Sequence, residues 1–186
     1  MMHIEHTPLH GLLLLTPKVF ADARGAFLET FHHRRFAEAT GADATFVQDN
    51  ESRSAKGVLR GLHFQVAPHA QGKLVRVVAG AVLDVCVDLR PDSATLGNHF
   101  KVVLHGASDR MLWIPPGFAH GFLALEPDTV FQYKCTAYYE PSAERTLQWN
   151  DPHLGIEWGM VDPVVSNKDA MGMSFKEHIG HHTTGG

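Results

Sequence analysis

The chain has 186 residues, 44% of them hydrophobic and 19% charged, with a net charge of −4 when histidine is counted as neutral. One domain of that length can bury a core without disulfide or metal staples, and the balance excludes an intrinsically disordered chain. There is no basic excess, so neither nucleic acid nor an anionic membrane is expected as a partner.

The first residues, Met1-Met2-His3-Ile4-Glu5, lack the basic start of a secretory signal, and Leu12 to Leu15 is too short for its apolar region. No window approaches the roughly 20 apolar residues of a membrane helix. Cys86 and Cys135 have apolar neighbours and no CxxC spacing, which reads as buried free thiols in a reducing, cytoplasmic setting. Strand character is expected over residues 12–20 and, after a turn at 22–25, over 26–31. Residues 34–40 read as a helix with Gly41 at its C-cap. Strands follow at 45–48 and 57–65. Residues 73–78 and 81–89, joined by Ala79-Gly80, read as a hairpin. In its second arm Leu83, Val85, Val87 and Leu89 face one way and Asp84, Cys86 and Asp88 the other. Further strands are expected at 99–104, 110–114, 121–125, 129–137 and 145–149. About ten short strands at this spacing point to an all-β double-sheet jelly roll with a few short helices. A single domain, 1–186, is expected, with 180–186 as a flexible tail.

The 14 histidines raise the question of metal. Pro115-Pro116-Gly117-Phe118-Ala119-His120 makes a rigid turn that delivers His120 to the start of a strand, the pattern of the second motif of cupin barrels. The first such motif offers His-x-His and a later Glu. Here the segment is His63-Phe64-Gln65, followed by Gln71 and Lys73. His63 and His120 supply two ligands, His69 is a poorly spaced third, and Lys73 repels a cation. A stable divalent site wants three protein ligands, so the barrel is read as metal-free.

A buried His without metal suits general-base chemistry near neutral pH. It needs a carboxylate to hold its tautomer, for which Asp84, Asp88 and Asp169 are candidates. Lys73 is a cation suited to an enolate, and Tyr133, Tyr138 and Tyr139 are the phenols available as acids. A second, polar cluster comprises Arg24, Glu29, Gln48, Asp49, Asn50, Ser52, Ser54 and Arg60. Its two arginines and its amides fit a diphosphate and a polar base.

At this point whole blocks match a known family. They include Asp22-Ala23-Arg24-Gly25-Ala26-Phe27-Leu28-Glu29, Val47-Gln48-Asp49-Asn50-Glu51-Ser52 and Gly57-Val58-Leu59-Arg60-Gly61-Leu62-His63-Phe64-Gln65. Gln71-Gly72-Lys73-Leu74-Val75-Arg76-Val77, the segment from Trp113 to Phe122, the run Tyr133 to Tyr139, and Ser166-Asn167-Lys168-Asp169 continue the series in order. The chain resembles dTDP-4-dehydrorhamnose 3,5-epimerases. The resemblance implies a cupin jelly-roll homodimer with exchanged N-terminal strands, acting on a dTDP-4-keto-6-deoxy sugar without metal or organic cofactor. It puts the base on His63, its carboxylate partner on Asp169, the acid on Tyr133 and the enolate cation on Lys73. Substrate-binding positions fall on Arg24, Glu29, Gln48, Asp49, Asn50, Arg60, Lys73, His120, Tyr138, Glu144 and Lys168, some reaching the neighbouring subunit's site. Relatives that invert a single carbon in antibiotic deoxysugar pathways keep much of this pattern and are the alternative reading, ahead of a metal-dependent cupin.

Overall fold

Leu13, Leu14 and Leu15 show how the core is built, because one strand buries alternate residues on opposite faces. Leu12 and Leu14 join a central cluster, whereas Leu13 and Leu15 join a second one on the other side. The computed structural model, which describes residues 2–183, places this segment in a sandwich of two antiparallel sheets. Among the described residues there are thirteen strands.

The larger sheet has six strands, in the order β1 (His3–His6), β2 (Leu13–Thr16), β10 (Met111–Ile114), β7 (Lys73–Ala79), β12 (Thr129–Cys135) and β5 (Gln48–Ser54). The smaller has five, in the order β13 (Glu144–Thr146), β6 (Leu59–Gln65), β11 (Phe118–Ala124), β8 (Ala81–Asp88) and β9 (His99–His105). The central cluster is filled from both sheets, by Val75, Leu112 and Phe131 on one side and Val82, Cys86 and Phe122 on the other. Helix α1 (His33–Thr40) covers the outer face of the larger sheet. Its Phe36 is fully buried and meets Trp113 edge-on at 5.1 Å, an arrangement that favours the aromatic quadrupoles. Gly41 ends the helix as expected, with φ 68° and its N–H donating to Ala37 O at 2.9 Å. The C-terminal segment, with α2 (Asn167–Ala170) and α3 (Phe175–Thr183), follows the strands, and Leu147, Leu154 and Trp158 pack on the smaller sheet's outer face. Of the tail expected from residue 180, the part to Thr183 is helical, and 184–186 lie outside the described residues. No helix is long and apolar enough to cross a membrane.

Two expectations from the sequence need correcting. Residues 73–79 and 81–88 are strands, but they do not form a hairpin: β7 lies in the larger sheet between β10 and β12, and β8 in the smaller between β11 and β9. Both edges of each strand are already taken. The turn at Gly80, φ +75°, is therefore a corner that carries the chain from one sheet to the other. Local alternation cannot distinguish a corner from a hairpin. The strand expected at 45–48 is instead β5, Gln48–Ser54, pairing with β12 from Gln48↔Cys135 to Ser54↔Thr129. Its polar inner face, Gln48, Asn50, Ser52 and Ser54, hid it from a search for apolar alternation.

A third sheet stands apart. Strands β3 (Val19–Asp22) and β4 (Gly25–Leu28) pair only with each other, and their hairpin leaves Phe20 and Phe27 53% and 69% exposed.

One buried carboxylate pins the loop after β8. Asp88 is inaccessible and accepts from Arg90 N, Nε and Nη2 at 3.1, 2.8 and 2.6 Å, and from Ser93 Oγ and Thr95 Oγ1 at 2.6 and 2.7 Å. Burial on its own would raise its pKa, but these donors outweigh burial and hold it far below the usual carboxylate range. Such a group stabilises the fold above its unfolded pKa, and the contribution is lost as pH falls towards the folded value. Asp88→Asn is expected to cost at least about 2 kcal/mol at pH 7 by urea denaturation, with the gap to the parent narrowing towards pH 3.

Candidate active site

Between the two sheets lies a cavity of about 550 Å³ whose two walls carry different chemistry. The smaller sheet contributes His63 from β6 and His120 from β11; the larger contributes Lys73 from β7 and Tyr133 from β12. The two histidines are directly opposite one another in the β6–β11 register. The strands come unusually close beside them: a Cβ on Gly61, φ +133°, would stand 2.5 Å from Gly121 Cα and 2.9 Å from His120 O. Only glycine fits there.

Each histidine has its own carboxylate. His63 Nε2 donates to Asp169 Oδ1 at 2.6 Å, leaving Nδ1 as the basic nitrogen. Asp169 sits in α2, whose N-cap, Ser166 Oγ, accepts from Asp169 N at 3.1 Å, and Oδ2 accepts from Gly61 N at 3.2 Å. Burial raises the Asp169 pKa, but the bonds from His63 and Gly61 and the nearby Lys168 charge outweigh it and the net shift is downward. The acid therefore stays ionised as the orienter of His63. His120 Nε2 donates to both oxygens of Asp84, at 3.1 and 2.9 Å, and its ring stacks on Phe131 at 6.0 Å. The three carboxylates that the sequence offers as partners thus have three different jobs: Asp169 holds His63, Asp84 holds His120, and Asp88 holds Arg90.

Burial pushes the Lys73 ammonium pKa down, while Cys135, Cys86, Glu144 and Asp84 pull it back up. Burial raises the Tyr133 phenol, Cys135 and Glu144 add to the rise and Arg60 opposes it, so the phenol keeps its proton at neutral pH. Phe122 and Phe131, stacked at 4.3 Å, give the cavity an apolar floor.

The histidines read from the sequence as metal ligands do not form one ligand group among the described residues. Among the described residues the candidate ligand group is Asp84, Cys86 and His120, with donor atoms within 4.8 Å of one another; His63 and His69 do not belong to it. Burial and the neighbouring Asp84 raise the Cys86 thiol well above its ordinary pKa. Lys73 adds a competing positive charge.

At the mouth, Arg60 Nε donates to Ser54 Oγ at 3.1 Å and Nη2 to Arg53 O at 3.3 Å, which orients an otherwise exposed guanidinium. Glu144 accepts from Lys168 Nζ at 2.8 Å and from the Tyr139 hydroxyl at 2.9 Å. A recess of about 100 Å³ shares His63, Lys73 and Tyr133 with the cavity and adds Gln48 and Asn50.

Four positions named from the sequence lie elsewhere in the single chain. Arg24, its side chain 90% exposed on the β3–β4 hairpin, pairs with Asp22. Glu29 pairs with Arg35 at 2.8 Å. Asp49 points to the opposite face of β5, pairs with Lys134 at 2.8 Å and lines a separate cleft. Tyr138 is 70% exposed, and its carbonyl accepts from Gln65 Nε2 at 3.2 Å. Conversely, the sequence reading assigned no role to Phe122, Phe131 or Ser166, and it placed Ser52 in the polar cluster without a part of its own.

The profile of the family described as dTDP-4-dehydrorhamnose 3,5-epimerase matches residues 6–177. A dTDP-4-dehydrorhamnose 3,5-epimerase from Salmonella typhimurium is 50% identical over 171 residues, covering 91% of this chain and 93% of the relative. The solved structure of a dTDP-6-deoxy-D-glucose-3,5-epimerase from Legionella pneumophila, in complex with dTDP-4-keto-L-rhamnose, matches with a TM-score of 0.91 at 46% identity, covering 95% and 94% of the two chains. A 4-keto-6-deoxy sugar epimerase from the novobiocin cluster of Streptomyces spheroides matches with a TM-score of 0.93 at 36% identity, covering 98% and 92%.

Proposed function

The chain belongs to the dTDP-4-dehydrorhamnose 3,5-epimerase family, and we propose that it converts dTDP-4-dehydro-6-deoxy-D-glucose to dTDP-4-dehydro-L-rhamnose by inverting C3 and C5. The observation that carries this reading is the placement of a base and an acid on opposing walls of one cavity. His63 comes from one sheet and Tyr133 from the other, with Lys73 beside Tyr133.

The C4 ketone acidifies the hydrogens on both neighbouring carbons. His63 Nδ1 takes one of them, the C–H electron pair moves into the C4 oxygen as an enolate, and Lys73 stabilises the new charge. Tyr133 then gives its proton to the other face of the same carbon, so the centre inverts. Both groups recover their protonation states by exchange with water at the open mouth, and the cycle repeats at the second carbon. The reaction is redox-neutral, and base, acid and cation all come from the chain, so it calls for no cofactor. His120, held by Asp84, adds a further polar group on the His63 wall.

Arg60 and Lys168 at the mouth suit the diphosphate, Gln48 and Asn50 the polar groups beyond it, and Glu144 fixes Lys168. Arg24, Glu29, Asp49 and Tyr138 complete the substrate site through a homodimer in which N-terminal strands are exchanged. Two features support this: the exposed aromatic hairpin Val19–Leu28, and a cavity lining in the single chain that does not include Arg24 or Glu29. Two buried free thiols suit a cytoplasmic enzyme.

Incubation with dTDP-4-dehydro-6-deoxy-D-glucose, followed by NMR of the sugar ring, tests the reading. It predicts inverted C3 and C5 in the product. Unchanged substrate would overturn it, and inversion at one carbon would move the chain to the single-carbon epimerases.

A further inference from the structure

The inner face of β5 carries four polar side chains at every second position, and three of them are satisfied within the protein. Gln48 Nε2 donates to Asn50 Oδ1 at 3.0 Å and Gln48 Oε1 accepts from Tyr139 N at 2.9 Å; Asn50 Nδ2 donates to Cys135 Sγ at 3.7 Å; Ser54 Oγ accepts from Arg60 Nε at 3.1 Å. The fourth, Ser52, is different. Its Oγ is buried and has no hydrogen-bond partner among the described residues. Buried polar groups are almost always paired, and an unpaired one lowers folding stability, so an orphan of this kind calls for a specific explanation.

Its position supplies one. Ser52 lines the same cavity as His63, Lys73, His120 and Tyr133. It is paired across the strands with Phe131, next to Tyr133's neighbour on the acid-bearing wall. Ser54, which fixes Arg60, lies two residues further along the strand, about 7 Å away. A sugar linked to a phosphate held by Arg60 would therefore lie against Ser52. A serine hydroxyl offers one donor and two acceptor sites, enough to pair with a sugar hydroxyl in either sense. Lys73 already serves the ketone oxygen, and the nearby Phe122 and Phe131 rings offer no polar alternative.

We propose that Ser52 is a specificity-determining residue whose hydroxyl pairs with a ring hydroxyl of the hexulose, so that its unmet hydrogen-bonding capacity is satisfied only when substrate is bound. This rests on the epimerase reading above. The role is positional: without the pair the ring is less well held between His63 and Tyr133, and inversion slows, while the nucleotide end binds as before.

The test compares Ser52→Ala and Ser52→Cys with the parent enzyme in three measurements: turnover of the 4-keto sugar nucleotide, inhibition by dTDP, and melting temperature. The proposal expects kcat/KM to fall about 10–100-fold in both variants. It also expects an unchanged dTDP inhibition constant and a melting temperature equal to or above the parent's, since a buried unpaired hydroxyl is removed. Ser52→Cys keeps the side-chain shape but replaces the hydroxyl with a weakly hydrogen-bonding thiol, and reads the same loss should the alanine variant pack poorly. The proposal is overturned if kcat/KM in either folded variant stays within twofold of the parent. It is also overturned if dTDP binding weakens as much as turnover, which would make Ser52 a phosphate ligand. If the parent itself fails to turn over the sugar nucleotide, the epimerase reading falls instead.

Discussion

Replacing His63 with alanine is expected to reduce turnover by about 10²–10⁴-fold and to abolish solvent-hydrogen exchange at both C3 and C5. The two losses belong together because one nitrogen serves both carbons. Asp169 fixes Nε2–H, so Nδ1 is the basic site. The variant also leaves Asp169 without its main opposing partner. The carboxyl pKa then rises, and the stability it gave above the ordinary carboxylate range declines. His63→Asn, which preserves a donor towards Asp169, separates the two effects: it should regain much of the stability and none of the exchange.

Tyr133→Phe gives the second large effect, and its signature is different. Inversion should fall by a similar factor of about 10²–10⁴, while exchange of hydrogen at the substrate carbons persists. His63 still removes a proton and Lys73 still holds the enolate, but the proton can return only from the wall it left. The ring fills the same volume against Phe131, whose centroid is 6.2 Å away, so folding should be little affected. Equal loss of exchange and inversion would mean that Tyr133 acts before proton removal rather than after it.

Much of this site could be read from the chain before any coordinates. Gly61 and His63 lie in one apolar strand, and a proline-glycine turn sets up His120, so local chemistry announces them. The pairing of Asp169 with His63 could not be read locally, since 106 residues separate them and only the docking of α2 on β6 brings them together. The same holds for β7 and β8. Their alternation is plain in the sequence, but the choice between hairpin and corner depends on which neighbours occupy their edges. The β5 strand was obscured for the opposite reason. Its inner face is polar because it lines the cavity, so function removed the apolar signal that would have marked it. Among the described residues, two histidines face the cavity; the abundance itself carried no information about metal.

The most direct test of the account is to run the reaction in D2O and locate deuterium in the product by NMR. Solvent deuterium at both C3 and C5, each with inverted configuration and both lost in His63→Ala, is the predicted result. A product with protium retained at both carbons would contradict it, because no mechanism that uses His63 and Tyr133 as base and acid can invert a carbon without exchanging its hydrogen.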